Sequence, residues 1–141
     1  MKKNIITTTI WALLIVAQIQ FADAATLKIT VEGIEKAEGK VLIGLYNTED
    51  GWLKKEMKGE TLDASIPEVI WEIPDLQEGE YAVSTYHDAD SDGELNTGAF
   101  GIPSEPYGFS NNARGMFGPA KWKNAKFVVK AGENEIRIRV H

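Results

Sequence analysis

A chain of 141 residues, 43% hydrophobic and 26% charged, has the balance of an ordinary globular protein and the length of one domain. Its formal net charge of −6 argues against nucleic acid or anionic lipid as partners, because both are bound through basic surface. It has no cysteine, which excludes disulfides, thiolate zinc sites and a lipid-modified cysteine at the N-terminus.

The chain starts MKKNIITTTIWALLIVAQIQFADAA. Lys2 and Lys3 precede an uncharged, mostly apolar run over 5–19, and Ala22-Asp23-Ala24 follows as a small-x-small cleavage site. The run falls short of the about 20 apolar residues of a spanning helix, and Asp23 interrupts it. We expect a cleaved signal peptide over 1–24 and one domain over 25–141, exported to the periplasm or the extracellular space. The mature form would have no membrane span. Without disulfides, such a domain takes its stability from its core, a partner or a bound ion.

Period-two alternation then dominates. In TLKITVEG, Leu27, Ile29 and Val31 share a face. GKVLIGLYN alternates Val41, Ile43 and Leu45 with Leu42, Gly44 and Tyr46, so both faces read as buried. The stretch 47–63 is less regular and leaves room for a short helix around 52–57. EVIWEIPDL puts Val69, Trp71 and Ile73 on one face, and EYAVSTYHD alternates Tyr81, Val83, Thr85 and His87 with Ala82, Ser84, Tyr86 and Asp88. AKFVVKAGENEIRIRVH reads as a hairpin, with Phe127 and Val129 before an Ala-Gly-Glu-Asn turn and Ile136, Ile138 and Val140 after it. These elements predict an all-β fold, a single antiparallel β-sandwich of about seven strands.

Residues 88–124 show no sustained period and are rich in glycine and proline, yet they carry Phe100, Tyr107, Phe109, Phe117 and Trp122. Disordered segments are poor in aromatics. The stretch therefore reads as one long ordered loop, with Phe100, Phe109 and Phe117 as its inward set. Tyr107 and Trp122 have polar tips. They are candidates to face a ligand beside Asn111, Asn112 and Arg114, a mixture that suits a sugar or a peptide. In the competing reading every ring is core and the polar groups cap turns.

YHDADSDGELNTG opens that loop. Asp88, Asp90 and Asp92 stand at alternate positions, Gly93 follows, and the Glu94 carbonyl and Asn96 come next, as in the first nine positions of an EF-hand loop. The twelfth position is Ala99 where that pattern has Glu, and a strand precedes the loop, so this is not an EF-hand. The expected ion is Ca²⁺, a hard cation held by six to eight oxygens, on Asp88, Asp90, Asp92, Glu94 and Asn96, with a further carboxylate from Glu105 or another segment. A bare Asp/Gly turn is the competing reading, but three carboxylates in so short a stretch repel one another. His87 reads as a hydrogen-bonded histidine at a strand end. With no cysteine and no serine in a Gly-x-Ser-x-Gly setting, no nucleophile is assembled, and no catalytic residue is expected.

The pieces GEYAVSTYHDADSDGELNTG, FGIPSEPYGFSNNA and FGPAKW, with GKVLIGLYN before them, resemble the exported bacterial family catalogued as domain of unknown function 2141. The resemblance implies a transthyretin-like (prealbumin-like) or carbohydrate-binding-like β-sandwich, with calcium on the acidic residues of the G-x-Y-x-V…D-x-D-x-x-G strand and loop, here Asp88, Asp90, Asp92 and Asn96. It supplies no activity. The expected function is a non-catalytic module of the cell envelope, with a glycan or envelope protein as partner. The alternative is an envelope-glycan hydrolase or other carboxylate-based enzyme.

Overall fold

The computed structural model describes residues 24–141. The expected signal peptide lies outside the described residues except for Ala24. Among the described residues, no helix is long and apolar enough to cross a membrane.

Among the described residues, eight strands make two sheets. β1 (Ala25–Glu32), β4 (Glu68–Leu76) and β8 (Gly132–Arg139) form one, in the order β4-β1-β8. The other runs β3-β2-β5-β6, from β2 (Lys40–Tyr46), β3 (Lys58–Asp63), β5 (Gly79–Asp88) and β6 (Tyr107–Phe109), and β7 (Phe127–Val129) also pairs with β5. The alternations of the sequence become the shared core. Leu27, Ile29 and Val31 of β1, Val41, Ile43 and Leu45 of β2, and Val83 of β5 pack in one buried cluster with Ile73 and Ile138. Apolar surface removed from water on both sheets at once is what holds them face to face.

Several expectations are corrected. The fold is not purely antiparallel, since β8 runs parallel to β1, with Ala25 opposite Gly132 and Glu32 opposite Arg139. The C-terminal stretch is not a hairpin, because β7 pairs with β5 and β8 with β1, so the turn between them crosses from one sheet to the other. No helix forms over 52–57. Turns occupy 49–54, and the polar stretch after them becomes the edge strand β3, giving eight strands rather than about seven.

The connection after β5 is ordered by a second cluster. Tyr46, Trp52, Phe109, Trp122, Ala120 and Ala125 are buried together on the outer side of β2 and β5. The Trp52 and Trp122 rings meet edge-on at 6.0 Å, and Trp52 Nε1 donates to the Ala120 carbonyl at 2.8 Å. Within this connection sit β6, two single 3-10 turns (Ala99–Gly101 and Ser110–Asn112) and the one-turn helix α1 (Trp122–Ala125). The inward aromatic set is thereby corrected. Phe109 is buried, whereas Phe100 is 100% and Phe117 98% exposed.

Candidate metal centre

β5 delivers the site. His87 points into the core, 4% exposed, and its Nε2 meets the Glu38 carbonyl at 2.7 Å, as expected of a histidine held at a strand end. Asp88, one residue on, faces the other way, yet it is only 1% exposed. Gly39 makes that closeness tolerable. Its φ is +76°, and a Cβ there would stand 2.1 Å from the Asp88 carbonyl oxygen, so no other residue fits.

The loop wraps around the carboxylates. Asp88 accepts the amides of Asp92 at 3.1 Å and Gly93 at 2.8 Å. Asp90 accepts the Asp92 amide at 3.2 Å and the side-chain Nδ2 of Asn96 at 3.1 Å. Asp92 accepts the Glu94 amide at 2.8 Å, and the Tyr86 hydroxyl donates to the Gly93 carbonyl at 3.0 Å. A hairpin follows. Thr97 pairs with Pro103, the Ser104 amide donates to the Asn96 carbonyl, and the tip carries Phe100 at φ +61°. Glu105 closes the unit by accepting the Ala89 and Asn96 amides, both at 3.0 Å.

One oxygen from each of Asp88, Asp90 and Glu105 lies within 4.8 Å of the others. Three acceptor-only carboxylates at this separation suit a hard dication. Of the five ligands expected from sequence, Asp88 and Asp90 enter this group and Glu105 joins them. Asp92 is turned to the Glu94 amide, while Asn96 presents its amide nitrogen to Asp90. The carboxylates also act on one another and on their neighbours. Burial works to raise Asp88, but hydrogen bonds from Gly93, Asp90, Asp92 and Ser91 outweigh it and leave the carboxyl below its ordinary value. Asp90 is pushed up by burial and by Asp88, Asp92 and Glu105, against the pull of the Asp92 amide. Tyr86 is raised by burial and by Asp88, Glu105, Asp92 and Glu94.

The five ligand-facing candidates separate. Tyr107, Asn112 and Arg114 line one small cavity with Arg139 and His141, of about 70 Å³. In it the Asn112 Oδ1 accepts the Arg139 amide at 2.9 Å, and Arg114 touches the His141 ring. Burial, then Arg114 and Arg139, lower the His141 pKa. Asn111 instead donates to the carbonyls of Asn124 and Lys126, at 3.0 and 2.9 Å. Trp122 is 7% exposed in the second cluster. Ser110, which nothing in the sequence singles out, ties these pieces together. Its buried hydroxyl accepts the Val83 amide at 2.9 Å and donates to the Ala125 carbonyl at 2.6 Å.

No curated protein and no solved structure matches the chain. A family model described as an uncharacterized protein conserved in bacteria, DUF2141, matches residues 29–137, from the middle of β1 to the middle of β8 and across the whole carboxylate loop. The chain therefore belongs to the DUF2141 family.

Proposed function

We propose that the protein is a non-catalytic β-sandwich module of the cell envelope, prealbumin-like or Ig-like, whose Asp88, Asp90 and Glu105 hold Ca²⁺. The observation that carries the reading is the approach of these three carboxylates to within 4.8 Å. The ion would clamp the end of β5 to Glu105, just before β6, and so fix both ends of the intervening loop. Its role is structural: the loop becomes a rigid mount for whatever the module contacts, a glycan or an envelope protein. Export rests on the sequence of 1–24, and predicts a mature chain starting at Ala25 by mass spectrometry. The test of the ion is calcium-dependent melting. An extracellular loop site has a Kd on the order of 10⁻⁴–10⁻³ M. At about 1 mM Ca²⁺ that stabilises the fold by roughly 0.4–1.4 kcal/mol, a rise of about 2–10 °C in Tm. Asp90→Ala should abolish the rise. A melting curve indifferent to Ca²⁺ and to chelator would sink the proposal.

A further inference from the structure

The net charge of the chain is acidic, but its distribution is not even. Residues 106–132 contain no Asp or Glu and carry Arg114, Lys121, Lys123, Lys126 and Lys130. Lys126 is paired with Glu80 at 2.7 Å. Among the described residues, no ion pair involves Lys121 or Lys123, and both are exposed. In the middle of this stretch, Met116 and Phe117 are 88% and 98% exposed. They occupy the apex of a pinched turn, since a Cβ on Gly115 would lie 1.9 Å from the Gly118 carbonyl oxygen. The base of the turn is fixed, because Ala120 and Trp122 are buried in the second cluster. Arg114, Lys121 and Lys123 border the same open stretch of surface as the two apolar side chains.

Two adjacent large apolar side chains standing in water beside a cluster of cations mark a contact surface. We propose that this turn seats the protein on the surface of an anionic phospholipid bilayer. Met116 and Phe117 enter the acyl layer just below the headgroups, and Arg114, Lys121 and Lys123 lie among the phosphates. The charge selects the partner: the apolar apex is flanked by Arg114, Lys121 and Lys123, which an anionic surface attracts together. The shape agrees. The two side chains protrude rather than line a socket, and a fluid acyl layer accepts a protruding group wherever it lands. A soluble polyanion would engage the cations and leave both apolar groups in water. The proposal does not rest on the carboxylate site.

The absence of cysteine allows a single label at Phe117→Cys. The full chain carrying nitrobenzoxadiazole there is mixed, in chelator, with phosphatidylcholine vesicles with and without phosphatidylglycerol. Emission should shift to the blue and brighten with phosphatidylglycerol only. The same label at Thr61→Cys, on the exposed strand β3, should not respond. This control separates the turn from insertion by the apolar N-terminal run. Each cation removed should weaken the partition about fivefold, so Lys121→Gln with Lys123→Gln costs about 25-fold, and adding Arg114→Gln brings the loss to the order of 100-fold. Circular dichroism checks that each variant is folded. An unchanged spectrum at position 117, an equal response at Thr61, or an equal response to pure phosphatidylcholine overturns the proposal. Salt-sensitive capture by heparin with the label still in water overturns it in favour of a polyanion.

Discussion

Glu105 accepts the backbone amide of Asn96 at 3.0 Å, so a residue two before β6 is bound to the base of the hairpin that precedes it. The other oxygen of the same carboxylate holds the Ala89 amide. One side chain thus joins the start of the long connection, its hairpin and its return to the sheet.

Glu105→Ala should therefore cost more than a surface substitution. It leaves two amides without their charged acceptor, and about 1–2 kcal/mol is expected after discounting for solvent. Chemical denaturation measures the loss. Limited proteolysis should show new cutting near Phe100 while the core resists. A stability within about 0.5 kcal/mol of the parent would mean the bridge does not order the loop.

The ion reading carries a pH signature. Asp90 is raised in the fold from its ordinary value of 3.8, so in the ion-free protein its stabilising contribution is complete below that value and lost as pH rises through the raised one. Asp88 is lowered, so its contribution is complete above 3.8 and lost as pH falls through the lower value. Calcium requires both carboxylates ionised. The calcium-dependent part of Tm should then be complete at neutral pH and vanish on acidification through the raised Asp90 value, before Asp88 protonates. Melting scans across pH, with Ca²⁺ and with chelator, check this. A calcium increment that persists to below 3.8 contradicts it.

Tyr86 offers a spectroscopic test. Its phenol is held above 10.0 by burial and by four carboxylates, and it touches the loop through Gly93. A dication among those carboxylates offsets their field, so Ca²⁺ should bring phenolate formation to lower pH in an ultraviolet titration. Tyr86→Phe removes the moving component and assigns it. Identical titrations with and without Ca²⁺ would place the ion elsewhere.

Trp122 and Phe117 should respond in opposite ways to truncation. Trp122→Ala empties a buried, ring-packed position, at a cost of about 3–5 kcal/mol. Phe117→Ser and Phe100→Ser act on side chains wholly in water and should change stability by less than about 0.5 kcal/mol. Denaturant midpoints decide the matter. A stable Trp122→Ala would return that ring to the list of ligand contacts.

Alternation made the core strands legible: Leu27, Ile29 and Val31, or Val41, Ile43 and Leu45, can share a face only in an extended chain. It carries no information on strand direction or partner, which is why the parallel pairing of β8 with β1 was missed. β3 was missed because an edge strand with solvent on its sides keeps polar residues, as Lys58–Asp63 does. Composition could not sort the loop aromatics, yet local chemistry distinguishes them. Phe109 follows Tyr107 at strand spacing, while Phe117 sits between turn-forming glycines. The acidic loop was visible because its carboxylates are close in sequence. Glu105 could be named only as one candidate, since nothing in the sequence between them shows that the hairpin folds back.

The pairing of β1 with β8 also bears on when the protein can fold. Among the described residues β1 is the first strand, and it lies at the centre of its sheet, with β8 along one edge. Until β8 has been made and released, Leu27, Ile29 and Val31 have an incomplete sheet around them, and contacts of such long sequence separation form slowly. A chain in synthesis therefore cannot complete the sheet around β1 until its C-terminal strand has been made.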